Sequence, residues 1–199
     1  MGLFAEDDGH RSLLVPLIGR VAETESVQVE VHVRSAEGGI PRVFTALRRY
    51  GTDLARGADN FLEILMVALE GNCQGAHERR QTAINALGSG YPGQLVVAVP
   101  DPHVELWYLS DPGALPRVLG EDFVAEVPPH KCERHRYKEA LRQACRRAGV
   151  EPVAGGVEYG EEVAAAMDLD LACRHDEGLG RFRDDLRGAL RSAVAGGSR

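Results

Sequence analysis

The chain has 199 residues, 44% apolar and 27% charged, so it can bury a substantial core in one domain or in one domain plus a small appendage. Its formal net charge of −7 excludes a generally basic, nucleic-acid-coating surface, and any such contact requires a local basic patch. No apolar stretch approaches the roughly 18 residues of a membrane span, and the first residues do not resemble a signal peptide. We therefore expect a cytoplasmic protein with no membrane partner.

The first part of the chain alternates predicted strands and helices. A short apolar strand over residues 2–6 ends at Glu6, and apolar residues then recur at helical spacing, with Pro16 indicating a late helix start or a kink. Apolar and polar residues alternate strictly over residues 27–33, which predicts a half-buried strand near a sheet edge. A turn over residues 35–39 follows.

The alternation continues through two longer apolar runs. A helix is predicted over residues 41–50, because its first residue is a proline and Gly51 suits its end. The apolar run over residues 61–69 predicts a third strand, followed by a helix over residues 75–87 and a fourth strand over residues 95–99. This order predicts an α/β fold with a mainly parallel four-stranded sheet flanked by helices.

The last part of the chain is predicted to form helices that cover the core, a helical C-terminal cap. We expect a helix over residues 104–109 at the sheet edge, with Trp107 and Tyr108 as core anchors rather than base-stacking platforms. Residues 112–129 are turn-rich. Three helical segments follow, over residues 135–148, 158–174 and 178–194. The predicted units are a core over residues 1–111, a helical C-terminal extension over residues 112–194 and a flexible tail over residues 195–199.

Four cysteines occur without CxxC pairing, at Cys73, Cys132, Cys145 and Cys173. This spacing predicts reduced thiols, and we do not expect disulfides to matter. His130, Cys132 and His135 lie within six positions of one another, so one interpretation of this segment is a zinc site. The other interpretation is a polar loop that leads into a helix.

Acidic and amide side chains follow the apolar strands where these end. Glu6 ends the first strand, Glu70 and Asn72 follow the third, and Asp101 and Glu105 follow the fourth. Because the carboxyl ends of parallel strands meet at one edge of an open sheet, these residues predict a metal or ligand site. The structural alternatives are a helix cap at Glu6 and its neighbours, a turn at Asn72, and an ion pair between Glu105 and an arginine.

A basic segment spans residues 131–147, which contain seven Lys or Arg against two Glu. Lys138, Arg142 and Arg146 recur every fourth residue and form a basic stripe on one helix face. Together with Lys131, such a stripe can contact phosphates. The alternative is a solvated helix face, or a face that neutralises acids elsewhere in this acidic protein.

Four stretches of the chain form a recognisable set: Phe4–Asp8, Glu70–Gly75, Pro100–Asp111 and Lys131–Lys138. With the strand order above, they resemble the Toprim domain shared by topoisomerases, bacterial primases and the overcoming-lysogenisation-defect nucleases. The closer resemblance is to a prokaryotic Toprim-like family often encoded near ATPase genes, some in phage-defence or mobile regions. In the Toprim domain a Glu ends the first strand and a D-x-D motif ends the third.

The resemblance implies a nuclease that hydrolyses phosphodiesters with Mg²⁺ or Mn²⁺, as the effector partner of a separate ATPase. The implied metal ligands are Glu6, Glu70, Asn72, Asp101 and Glu105. The implied catalytic residues are Glu6, Glu70, Glu105 and Lys138, and the implied phosphate contacts are Lys131, Lys138 and Arg142.

The chain departs from the Toprim pattern at one point, because Glu70-x-Asn72 stands where the family has D-x-D. Mg²⁺ is held largely by carboxylates, so a neutral ligand weakens the site. The alternative function is therefore a catalytically weakened Toprim-fold module that binds a partner protein or nucleic acid. A hydrolase of small nucleotides is a third interpretation.

Overall fold

The fold is built on one small parallel sheet. The computed structural model describes residues 1–34, 38–58, 61–88, 90–129, 132–133 and 135–197. The strands are β1 (Gly2–Ala5), β2 (His32–Val33), β3 (Ile64–Ala68) and β4 (Gln94–Ala98). Every pairing is parallel, and the spatial order is β2-β1-β3-β4. This confirms the predicted α/β fold with a four-stranded parallel sheet.

Helices cover both faces of this sheet. In the described part of the chain they are α1 (Asp8–Thr24), α2 (Ile40–Ala55), α3 (Ala76–Leu87), α4 (Glu105–Leu109), α5 (Ala114–Val118), α6 (Arg136–Arg147), α7 (Gly160–Ala166), α8 (Leu169–His175) and α9 (Glu177–Gly197). One turn of 3-10 helix at Val157–Tyr159 precedes α7. No helix in this part of the chain is long and apolar enough to cross a membrane.

Alternate residues of β1, β3 and β4 enter two different cores. Leu3 and Met66 belong to the core shared with α1 and the C-terminal helices, whereas Phe4 and Val67 belong to the core shared with α2 and α3. Successive side chains of a strand point to opposite faces of its sheet. Both faces are therefore buried, which explains why β3 reads as a continuous apolar run rather than as an alternating one.

The bounds of two predicted helices in the first half of the chain are wrong. The helix after β1 begins at Asp8, well before Pro16, because Asp7 caps it by accepting the His10 backbone N–H. Helix α2 continues past Gly51 to Ala55. Glycine is required there because an added Cβ would clash with the Leu87 carbonyl oxygen, where α2 and α3 approach closely.

Strand β2 keeps its predicted edge position but covers only two residues of the predicted 27–33. Of the predicted turn over residues 35–39, positions 35–37 lie outside the described residues. The turn-rich stretch 112–129 contains helix α5.

The C-terminal helices differ from prediction mainly at one break. The single helix predicted over residues 158–174 is divided, because Met167 adopts an extended conformation and Asp168 starts α8 as its N-cap. The Asp168 carboxylate accepts the Leu171 backbone N–H at 2.9 Å, an N-cap that favours a helix start at this point. The last helix, α9, continues to Gly197 rather than ending at residue 194.

The short helix α4 connects the sheet to the C-terminal helices. Trp107 and Tyr108 are fully buried, which confirms that they are core residues. The Trp107 indole N–H donates to the Asp176 carboxylate at 3.0 Å, and the Tyr108 hydroxyl lies 2.9 Å from the carbonyl oxygens of Gly9 and Val157. These contacts place the start of α4, with Glu105, beside the carboxyl ends of the strands.

Candidate functional site at the carboxyl ends of the strands

The two acids predicted at the ends of β1 and β3 lie side by side. The register pairs Ala5 with Ala68, so both strands end at the same level. Glu6 continues this pairing by donating its N–H to the Ala68 carbonyl at 3.2 Å. The Glu70 backbone N–H in turn donates to Oε2 of Glu6 at 3.0 Å. Burial raises the pKa of Glu6, and the nearby charges of Glu70 and Asp7 add to the rise.

Glu70 is paired with a histidine that the sequence patterns did not single out. Its Oε2 lies 3.0 Å from Nδ1 of His103, and only 8% of Glu70 and 6% of His103 are exposed. The hydrogen bond and charge of Glu70 raise the pKa of His103. Burial alone would raise the pKa of Glu70, but the hydrogen bond and charge of His103 outweigh it, so that pKa is lowered. The pair is an ionic contact between the segments that follow β3 and β4.

Glu105 begins α4 and is almost fully buried, with 6% of its surface exposed. Its Oε1 lies 3.6 Å from the ammonium nitrogen of Lys138 on α6, so its ion-pair partner is a lysine rather than an arginine. Burial raises the pKa of Glu105, and the Lys138 charge opposes this rise. Its second oxygen, Oε2, has no hydrogen-bond partner among the described residues.

A second histidine in this region, His10, was also not predicted. Asp7 Oδ1 lies 2.8 Å from Nδ1 of His10 and also accepts the His10 backbone N–H at 3.0 Å. Burial opposes ionisation of Asp7, but the hydrogen bond from the imidazole prevails and lowers the Asp7 pKa to about 2. His10 is fully buried, and its Nε2 has no partner in the described part of the chain. The sequence did contain a pattern that could have indicated this contact: an aspartate directly after the predicted strand, and a histidine three positions later in the first helical turn.

Asn72 and Asp101 lie beside these acids but have structural roles. Asn72 has a positive φ of 48°, and its backbone N–H donates to the Pro102 carbonyl at 3.0 Å. Asparagine tolerates this left-handed conformation better than most residues. Asp101 Oδ1 accepts the backbone N–H of Cys73 at 2.8 Å and therefore holds the loop that follows Glu70.

Of the two predicted phosphate-binding residues that the structure describes, Lys138 and Arg142, only Lys138 reaches the acids. Arg142 lies 2.9 Å from Glu139 on its own helix, and Arg146 lies 2.8 Å from Glu151. Lys131 lies outside the described residues. The exposed part of the stripe is thus partly neutralised by acids close to it in sequence.

The expectation of reduced thiols is wrong for two cysteines. Cys73 and Cys132 form a disulfide whose Cα atoms are 5.9 Å apart, whereas Cys145 and Cys173 are free. The two partners are 59 positions apart, so sequence spacing alone did not reveal that the loop after β3 meets the segment before α6. The disulfide removes Cys132 as a thiolate ligand for zinc. His130 lies outside the described residues.

We use the name strand-end cluster for the seven residues that interact at this edge: Glu6, Asp7, His10, Glu70, His103, Glu105 and Lys138. No group of three or more His, Cys, Asp or Glu side chains in the described ranges is arranged to hold a metal ion as the side chains now lie. The donor types nevertheless fit a divalent cation, because carboxylates and imidazoles lie at this edge and two of their buried atoms, His10 Nε2 and Glu105 Oε2, have no hydrogen-bond partner among the described residues. Such a cation would compete with His103 and Lys138 for the carboxylates.

Comparisons with protein-family models, curated proteins and solved structures returned no match to this chain. The function must therefore be argued from the strand-end cluster itself.

Proposed function

We propose that this protein is a divalent-metal-dependent phosphodiesterase that acts on nucleic acid. The observation that supports this most directly is the contact between the Glu70 backbone N–H and the Glu6 carboxylate, at 3.0 Å, at the ends of adjacent parallel strands. It brings two acids to the edge where open α/β sheets bind their ligands. Glu105 adds a third, buried carboxylate whose charge interacts with that of Glu70.

In this proposal Glu6, Glu70 and Glu105 hold Mg²⁺ or Mn²⁺, and Asn72 and Asp101 line the same edge. When bound, the cation neutralises charge on the scissile phosphate and lowers the pKa of a water molecule. Lys138 is suited to bind a non-bridging phosphate oxygen, because its side chain is 44% exposed while its ammonium group reaches Glu105. Lys131 and Arg142 would contact phosphates farther along the strand.

The test incubates purified protein with plasmid, linear and single-stranded DNA and with RNA, in Mg²⁺ or Mn²⁺. Glu6→Gln and Glu70→Gln keep the side-chain size but remove a charged ligand, so we expect each to reduce cleavage at least about 100-fold, as for other groups that stabilise transition-state charge. Glu161→Gln is the matched control, because Glu161 is an exposed acid in the first turn of α7. Equal cleavage by all four proteins would overturn the assignment.

A second candidate function follows from the pairing within the strand-end cluster. Glu70 is already paired with His103 and Glu105 with Lys138, and no ready-made three-ligand group occurs in the described ranges. This favours a Toprim-fold module that binds a partner protein or nucleic acid without catalysis. Wild-type protein that neither cleaves nucleic acid nor binds Mn²⁺ would support this module over the enzyme.

The resemblance also supports a separate ATPase as partner, with a role in phage defence. The cleavage assay therefore includes an arm with any ATPase encoded beside the gene, with and without ATP. Cleavage that appears only with the ATPase and ATP would support an effector role, whereas equal cleavage without it would show that the protein acts alone.

A further inference from the structure

His10 has no role in the function proposed above, although its position is unusual. The imidazole is completely buried in the first turn of α1, and its Nε2 has no hydrogen-bond partner among the described residues. A buried polar atom without a partner lowers stability, because its lost hydration is not replaced. A bound partner, one that the described side chains do not supply, would remove this penalty.

The hydrogen bond from Asp7 determines which ring nitrogen is available. Oδ1 of Asp7 accepts the His10 backbone N–H at 3.0 Å, so this oxygen already acts as a hydrogen-bond acceptor beside the ring. The His10 Nδ1, 2.8 Å away, must therefore be the donor. In the neutral imidazole the lone pair then lies on Nε2, the buried atom without a partner.

The surroundings of His10 favour a cation over other partners. His10 lies in the first turn of α1, four residues after Glu6, whose carboxylate accepts the Glu70 backbone N–H at the strand ends. Carboxylate oxygens and imidazole nitrogens are both ligands of divalent transition metals. A metal ion satisfies the imidazole and the carboxylates together.

We propose that His10 Nε2 is a metal ligand that acts beside Glu6 and Glu70, and that this imidazole makes the site select Mn²⁺ over Mg²⁺. The inference rests on the proposed metal-dependent function and adds to it the choice of metal. Carboxylates suit Mg²⁺ and Mn²⁺ alike, whereas an imidazole is a common ligand of transition metals and a poor one for Mg²⁺, which demands oxygen ligands.

Asp7 is assigned a supporting role in the same proposal. A ligating histidine usually donates its other ring N–H to a carboxylate, which fixes the tautomer and the ring orientation. Asp7 does this while also capping α1, so one carboxylate fixes both the helix start and the imidazole. Because α1 is packed along its buried face, the ring is held rigidly.

The test measures binding of Mn²⁺ and of Mg²⁺ by calorimetry, with metal-free wild-type protein. We expect wild type to bind Mn²⁺ more tightly than Mg²⁺, and His10→Gln to weaken Mn²⁺ binding about 10- to 100-fold, the range seen when a group supporting a metal site is removed. Mg²⁺ affinity should change little, so the selectivity falls. His32→Gln is the matched control, because His32 is exposed and pairs with Gly2 at the start of β1, whereas Glu6 follows the end of that strand.

Two measurements keep the inference testable if His10→Gln folds poorly. Asp7→Asn keeps the imidazole but weakens its orienting hydrogen bond, and it should lower Mn²⁺ affinity while leaving Mg²⁺ affinity near the wild-type value. Pulsed electron paramagnetic resonance of wild type with Mn²⁺ should show a coordinated imidazole nitrogen, and the signal should persist in His103→Gln.

The outcomes separate this inference from the proposed function. Wild type that cleaves nucleic acid and binds metal, but shows no coordinated nitrogen or keeps its Mn²⁺ preference in His10→Gln, would overturn the inference alone. In that case a buried water molecule satisfies Nε2. Wild type that binds neither metal and does not cleave would overturn both.

Discussion

The strand-end cluster and the outer face of α6 both contain several charged side chains, but they are built differently. In the cluster, Glu70 and His103 come from segments far apart in sequence and both are buried, and the buried carboxylate of Glu105 pairs with the partly exposed Lys138. On α6, Arg142 pairs with Glu139 three residues away, and both side chains are more than 40% exposed. Exposed pairs contribute little to stability, whereas a buried charge that loses its partner is costly. A dense run of charge in the sequence therefore says less about function than a few acids brought together by the fold.

The largest change in the free energy of unfolding is expected at the N-cap of α1, with the N-cap of α8 as the comparison. Asp7→Ala removes the cap of α1 and leaves Nδ1 of buried His10 without an acceptor, so we expect a loss of about 2 to 4 kcal/mol. Asp168→Ala removes only the cap of α8 and should cost about 1 kcal/mol. Urea unfolding in EDTA measures both variants. Equal losses would show that the contact between Asp7 and His10 contributes nothing beyond an ordinary cap.

The pair of Glu70 and His103 should make stability depend on pH. The His103 pKa is raised, so its contribution is complete below its unfolded value near 6.5 and is lost as pH rises through the folded value. The Glu70 pKa is lowered, so its contribution is present above about 4.5 and is lost as pH falls through the folded value. The pair therefore stabilises the fold most between these two pH limits. The nearby charge of Glu105 also raises the pKa of His103, whereas that of Lys138 lowers it.

To test this pH dependence, the free energy of unfolding of wild type and of His103→Leu is measured between pH 5 and pH 9, a range that includes the titration of a histidine. We expect the variant to lose about 1 to 3 kcal/mol at pH 6, because Glu70 is left buried without its partner, and less at pH 9. NMR titration of the His103 ring in wild type should give a pKa above the usual value. A loss that stays constant over the range would contradict the assigned ion pair.

A smaller effect is expected for Lys138, whose ammonium lies 3.6 Å from Glu105 and is partly exposed. Lys138→Met should cost about 1 kcal/mol, near the lower end for a buried group that loses its partner. The double variant Lys138→Met with Glu105→Gln should recover most of that loss, because no uncompensated charge remains. Additive losses in the double variant would indicate that the two residues do not interact.

The smallest effect is expected on the outer face of α6. Arg142→Met should change stability by less than about 0.5 kcal/mol, since exposed pairs at this spacing contribute little. If phosphates bind along this face, the same variant should weaken DNA binding at low salt and reduce its salt dependence, measured by fluorescence anisotropy. Unchanged binding would exclude Arg142 as a phosphate contact.

The predicted sheet is largely correct because β1, β3 and β4 are continuous apolar runs between polar turns, a pattern set by burial on both faces. The residues at which individual helices end were harder to predict. Gly51 suits a helix end in isolation but lies within α2, because α3 passes too close for any side chain there. The break at Met167 lies in a stretch whose composition still favoured one helix, and the Asp168 cap decided it.

The sequence alone determined that acids follow β1 and β3, because side-chain type and strand order can be read along the chain. Only the tertiary structure decided their partners: His103 for Glu70, Lys138 for Glu105, and Cys132 for Cys73. These contacts join residues dozens of positions apart, and packing of the intervening elements sets their distances. The same packing buries His10, whose Nε2 has no hydrogen-bond partner in the described part of the chain, a property of position rather than of residue type.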